Sequence, residues 1–129
     1  MPVTSPGTVV ITGGGGGIGA TCARRLAAVG WRVAVCDLDG AAAQAVATEV
    51  GGIGLALDIA DAAAVERAAE QIEAESGPCT GLVACAARLE NPHPPDAQDP
   101  AEWQRVIDVN LGGTFHTCRA FGARMAARG

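Results

Sequence analysis

Thr8-Val-Val-Ile-Thr-Gly-Gly-Gly-Gly-Gly-Ile-Gly19 is the stretch on which the fold turns. An apolar, β-branched run enters a glycine loop, and a helical pattern begins near Gly17. A helix start carries backbone N–H donors without intrahelical partners and the positive end of the helix dipole. Glycines let a phosphate come close to those donors with no Cβ in the way. The stretch therefore predicts a strand, a phosphate-holding turn and a helix. Gly13, Gly16, Gly17, Ile18 and Gly19 are its candidate binding residues.

Working outward, short apolar runs alternate with longer helical patterns. Strands are expected at Thr8–Thr12, Trp31–Cys36, Ile53–Leu57 and Gly81–Ala86. Helices are expected at Gly17–Val29, Gly40–Val50 behind an Asp39 cap, and from an Asp61 cap to Glu75. The first should bury Ile18, Cys22, Leu26 and Val29, the third Val65, Ala68, Ala69 and Ile72. Cys36 and Cys85 read as small buried residues. A proline-rich loop over Arg88–Gln98 precedes Asp99-Pro-Ala-Glu102, a helix start with Glu102 placed to close a capping box. That helix carries Trp103, Val106, Ile107 and Val109. Gly112-Gly113 marks a joint, and a last helix should bury Leu111, Phe115, Cys118, Gly122 and Met125. The order β-α-β-α-β-α-β-α-α implies an α/β fold with a parallel sheet and right-handed crossovers.

Composition narrows the function. The 129 residues suit a single domain, and 49% hydrophobic content supports a core. The net charge is −5, with nine Arg, no Lys and no Arg-dense block. Nucleic acid and anionic membrane are therefore poor partners. Five cysteines without a C-x-x-C pair argue against a metal site and fit a reducing cytoplasm. The amino-terminal residues do not resemble a signal segment, and no stretch has membrane-spanning length.

Three more features bear on a ligand. Asp37, followed by Leu38, ends the second strand, where a carboxylate accepts hydrogen bonds from adenosine ribose hydroxyls and repels a 2′-phosphate. With no basic residue in the glycine loop, this favours NAD over NADP. Asp37 or Asp39 also suits a helix cap. Asp58-Ile59 follows the third strand, where Asp58 is either an adenine contact or a turn aspartate. Asn110 interrupts an apolar helical face just before the glycine pair. It reads as a buried amide in need of partners, or as an Asn bonding backbone at a kink.

Taken in order, these segments resemble the short-chain dehydrogenase/reductase family over nearly the whole chain. Thr12-Gly-x-x-x-Gly17-Ile-Gly19 matches its cofactor loop, Asp37 and Asp58 its adenosine contacts, and Trp103–Phe115 the segment bearing its catalytic Asn, here Asn110. The resemblance implies a three-layer Rossmann-type parallel sheet with helices on both faces. It also implies hydride transfer between an alcohol or carbonyl compound and NAD, with Ala86 among the cofactor contacts. The helices over residues 99–128 resemble the family's subunit-pairing surface, so a homo-oligomer is expected.

The chain departs from the family in two places. Ala84-Cys85-Ala86-Ala87 stands where the family has Asn-Asn-Ala-Gly. The family's Tyr, Lys and Ser acid/base set has no match, because the sequence holds neither Tyr nor Lys and Ser5 and Ser76 lie outside the matching segments. His93 and His116 are the other near-neutral acid/base candidates. The expectation is a dinucleotide-binding portion, truncated after the fourth strand and two helices, and inactive alone. A non-catalytic binding module, one half of a two-chain enzyme and a Rossmann-like methyltransferase remain open.

Overall fold

A computed structural model of the chain describes residues 6–129; Ser5 and the other amino-terminal residues before Pro6 considered above lie outside the described residues. The elements are β1 (Thr8–Thr12), α1 (Gly17–Ala28), β2 (Arg32–Asp37), α2 (Gly40–Val50), β3 (Ile53–Ala56), α3 (Ala62–Ser76) and β4 (Cys79–Ala84). A 3-10 turn at Pro95–Ala97 leads to α4 (Pro100–Ile107), a π-helical turn at Asp108–Gly113 and α5 (Thr114–Arg128). The four strands are parallel in the order β3-β2-β1-β4. The chain moves outward from β1 to β3 and then returns across the sheet to β4. The sheet therefore has a switch point between β1 and β4, where open α/β sheets form their ligand crevice.

Strand alternation builds two cores. Val9 and Ile11 of β1, with Val33 and Val35 of β2, pack under α1 and α2. Val10, Ala34 and Cys36 face the other way, toward Val65, Ala68, Ala69 and Ile72 of α3 and Ala120 and Phe121 of α5. The α3 face is the one expected. Asp61 caps that helix by accepting from the Ala64 N–H at 2.9 Å. Arg124–Glu66 and Arg128–Glu73 ion pairs, both at 2.9 Å, tie α5 to α3.

Two expected stripes are corrected. In α1, Ile18 is exposed, as is Val29 just past the helix end, and the buried residues are Gly19, Ala20 and Ala23. Small side chains let this helix lie close to the strands, while Cys22 and Leu26 flank the contact. Of the last stripe, Leu111 in the π turn and Phe115 and Cys118 in α5 are exposed and Met125 packs on the core, while Thr117, Ala120 and Phe121 are the buried residues of α5. The π turn holds the extra residue that shifts the helical phase. It draws Gly113 against Ile59, where a Cβ would collide with the Ile59 side chain.

Smaller differences have local causes. Trp31 stays outside β2 because its N–H returns to the Leu26 carbonyl. β4 starts at Cys79, paired with Thr8, and the Cys85 N–H still donates to the Thr12 carbonyl beyond its assigned end. No residue of α4 is buried. Asp99 caps α4 by accepting from the Ala101 N–H at 3.0 Å. The Glu102 carboxylate does not close a capping box; Arg88 and Arg105 occupy it.

Candidate functional site

A crevice of about 490 Å³ opens at the carboxyl ends of the strands, within the size range of small-molecule sites. Gly13, Gly16, Asp37, Leu38, Asp58, Ile59 and Ala86 all line it. Sequence reasoning thus named most of its wall. It missed Leu57, Ala87, Arg88, Leu89 and Val109, and read Cys85 as buried where the structure leaves it half-exposed at the crevice. These residues lie at strand ends or on the wall opposite the glycine loop. Position beyond a strand's carboxyl end was the signal available for Leu57 and Arg88.

The glycines have distinct roles. Gly13 adopts φ +65°, and a Cβ there would come within 2.7 Å of the Ala86 N and Cα. Gly15 donates its N–H to Asp37 Oδ2 at 2.9 Å, and a Cβ there would press on the same carboxylate. Gly19 leaves no room for a methyl beside the Gly13 carbonyl. Gly16 and Gly17, by contrast, face open space. Gly16 is the α1 N-cap without a side-chain cap, and the first intrahelical bond there is Ala20 N–H to the Gly16 carbonyl. The Gly17, Ile18 and Gly19 N–H groups therefore stand at an uncapped helix start, the arrangement that takes a phosphate.

Asp37 is held from both sides. Its Oδ2 takes the Gly15 N–H, and its Oδ1 takes the Asp39 N–H at 3.0 Å. Each oxygen retains a further acceptor site. Asp39 is the α2 cap, accepting from the Ala42 N–H at 3.0 Å, which leaves Asp37 to the crevice. Asp58 lies on the crevice wall and is also a turn aspartate, its Oδ1 accepting from the Ala60 N–H at 2.9 Å. Its second oxygen accepts no hydrogen bond among the described residues.

Across the crevice, the Asn110 amide is exposed rather than buried. It pairs twice with the backbone of Arg88: Oδ1 accepts from the Arg88 N–H at 2.7 Å and Nδ2 donates to its carbonyl at 3.0 Å. Asn110 thus clamps the loop after β4 to the π turn. The Arg88 guanidinium makes a two-pronged pair with Glu102 at 3.0 and 3.1 Å. That contact, and then the one to Arg105, holds the Glu102 carboxyl below its usual range. His116 hydrogen-bonds through Nδ1 to the Ile59 carbonyl at 2.9 Å, bracing the wall from behind. His93 lies in the outer loop beside a smaller polar pocket. Among the described residues no cluster suits a metal ion.

The family model for short chain dehydrogenases matches residues 7–129. This chain belongs to that family. The short-chain dehydrogenase family binds a nicotinamide dinucleotide, and the crevice has the parts for one: an uncapped helix start, an open Gly16-Gly17 surface and a braced carboxylate. D-Threitol dehydrogenase of Mycolicibacterium smegmatis is 40% identical over 127 residues, covering 93% of this chain and 48% of that protein. A 3-ketoacyl-(acyl-carrier-protein) reductase from Brucella melitensis, solved with NADH, superposes with a TM-score of 0.85 at 33% identity, over 88% of this chain and 48% of that one. A metagenomic short-chain oxidoreductase solved with NADP gives 0.88 at 34%, over 96% of this chain and 58% of that one. The chain spans about half the length of D-threitol dehydrogenase and of most of the other curated relatives it matches, and 21% of the longest of them. Among the described residues no helix is long and apolar enough to cross a membrane.

Proposed function

We propose that the chain is the NAD-holding portion of an oxidoreductase whose complete reaction moves a hydride between an alcohol or carbonyl compound and the dinucleotide. The observation that carries this reading is the Asp37 carboxylate at the crevice edge, fixed by the Gly15 and Asp39 N–H groups. Fixed acceptors suit a ribose diol, and their charge opposes a 2′-phosphate. Leu38 beside it supplies no cation. In this reading the Gly17–Gly19 N–H groups hold the diphosphate, and Asp58 and Ile59 border the adenine. Gly13 and Ala86 form the floor toward the nicotinamide ribose. The nicotinamide, when bound, supplies the hydride acceptor. Asn110 occupies the family's catalytic-Asn place and positions the Arg88 backbone beside that end.

Titration calorimetry tests the reading. NAD should bind at least about tenfold more tightly than NADP, a difference of about 1.4 kcal/mol. Asp37→Asn should erase most of that preference, mainly by weakening NAD. Equal affinities in the unaltered chain would refute the assignment of Asp37.

A second reading is favoured by the absence of Tyr and Lys from the 129 residues. Without a phenol and the cation that lowers its pKa, the chain alone has no proton donor of the family's kind. These residues by themselves then hold a dinucleotide, either as a binding module or with the remaining chemistry supplied by further residues. The 129-residue chain should show no alcohol-dependent reduction of NAD, and turnover by homogeneous protein would exclude this reading. Exposed Trp103, Leu111 and Phe115 on the 99–128 helices support self-association. Five free thiols support a cytoplasmic setting.

A further inference from the structure

The proposed function leaves a pair of thiols at the crevice floor unused. Leu82 and Ala86 pack against the α3/α5 core, and Val83 packs against the α1/α2 core. The strand period of two therefore turns Cys85 to the α1 side. Cys22, three residues beyond Gly19 on α1, packs against that same core. Gly19 rests on Gly13, and Gly13 rests on the Cys85-Ala86 backbone, so α1 passes over the end of β4 at this level. The Cys22 and Cys85 thiols are neighbours there, both half-buried. Cys85 also lines the crevice, which gives a small solute a route to it.

The other three cysteines stand apart from this arrangement. Cys36 and Cys79 are buried in the α3/α5 core, and Cys118 is exposed on α5.

We infer that Cys22 and Cys85 form a redox-switchable pair, which a low-molecular-weight disulfide closes into an intramolecular bridge between α1 and the end of β4. One protein thiol gives its proton to solvent, and the thiolate attacks the oxidant. The oxidant's S–S bond breaks and one small thiol leaves, reprotonated. The second protein thiol loses its proton and attacks the mixed disulfide, which forms the bridge and releases the second small thiol. Two protein thiols are oxidised, and one disulfide is reduced to two thiols. Burial, followed by the neighbouring Cys22, pushes the Cys85 thiol above its ordinary range, so exchange through Cys85 speeds up as pH rises.

Closure ties α1 to the end of β4 beneath the glycine turn. Gly13 packs on Ala86 with no room for a methyl group, so the tie bears directly on the turn that borders the crevice. The effect on binding rests on the dinucleotide reading; the bridge itself does not.

The full chain, treated with oxidised glutathione and digested without reduction, is mapped by mass spectrometry. A Cys22–Cys85 cross-linked peptide is expected, absent from Cys22→Ser and from Cys85→Ser and retained in Cys118→Ser. Its rate of formation should rise several-fold from pH 7 to pH 8. Glutathione adducts at Cys22 or Cys85 without a cross-link, or no reaction at either, overturn the pair. Calorimetry should then show the bridged chain binding NAD at least tenfold more weakly, with recovery on adding dithiothreitol. Unchanged affinity in the bridged chain overturns the switch. If the reduced chain binds no dinucleotide, the proposed function fails, and the cross-link map still decides the thiol pair.

Discussion

On the β1–β2 side of the crevice, Gly13, Gly14, Gly15 and Gly19 each lack room for a methyl group. On the α4–α5 side, Trp103, Leu111 and Phe115 are 52%, 68% and 63% exposed. The first side is closely packed. Its carboxylate is fixed by the Gly15 and Asp39 N–H groups, and its glycine turn packs on Val35, Ala42 and the Cys85-Ala86 backbone. The second side is held by a few directed bonds, chiefly Asn110 to the Arg88 backbone and Arg88 to Glu102. In the proposed reading, a dinucleotide's adenosine end meets the tightly packed side and its nicotinamide end the more exposed one.

Where α5 meets the sheet, the second side is as tight as the first. Phe121 is fully buried in the α3/α5 core, which also holds Val10 and Ile72. Phe121→Ala should cost about 3–5 kcal/mol, the range for removing a buried aromatic. Urea unfolding followed by circular dichroism measures it. A loss under about 1 kcal/mol would mean that α5 is not part of the cooperative core.

On the first side, Gly19→Ala sets a methyl against the Gly13 carbonyl and should cost about 1–3 kcal/mol, as overpacking does. Gly16→Ala enters open space at an extended φ of −168° and should leave stability within about 0.5 kcal/mol. It should nevertheless weaken NAD binding, because its methyl projects where the diphosphate is expected. If both variants behave alike, the division between packing glycines and ligand-facing glycines is wrong.

These contrasts show what the sequence could and could not reveal. The α3 face was legible because Val65, Ala68, Ala69 and Ile72 form one stripe above a sheet. α1 was misread because periodicity weights large apolar residues, while close helix–sheet approach selects Ala20, Ala23 and Gly19. α5 carries two apolar stripes, and the π turn at Asp108–Gly113 decides which one meets the core. Nothing in the spacing of Leu111, Phe115 and Cys118 announces that extra residue. The crevice wall on the glycine side was legible because backbone chemistry dictates the residue types. The wall at Arg88, Leu89 and Val109 depends on how a proline-rich loop returns over the sheet, which local pattern does not encode.

The core also predicts an alkaline response. Burial, with smaller effects from Asp37 and Cys79, pushes the Cys36 thiol up to about 12 from its ordinary 9.0. Above pH 9 the unfolded thiol ionises while the folded one keeps its proton, so the folded state binds more protons and stability falls as pH rises. The slope from this group is about 1.4 kcal/mol per pH unit up to the folded pKa. With no Tyr or Lys in the chain, few other groups titrate there. Burial also raises Cys79 and Cys85. Cys36→Ala should therefore make the fall between pH 9 and pH 11 shallower without abolishing it. An unchanged slope would place the titration elsewhere.

Phe115 gives the smallest effect and bears most directly on the open side. It is as large as Phe121 but 63% exposed, touching the His116 ring edge-on with centroids 6.0 Å apart. In dilute protein, Phe115→Ala should shift stability by no more than about 0.5 kcal/mol. If the 99–128 helices pair two chains, the unaltered protein should become more heat-stable as its concentration rises, since association stabilises the folded state by mass action. Phe115→Ala should flatten that dependence while leaving the dilute value in place. A melting temperature independent of concentration in the unaltered chain would leave this face to another segment, and the contrast between Phe115 and Phe121 would reduce to burial alone.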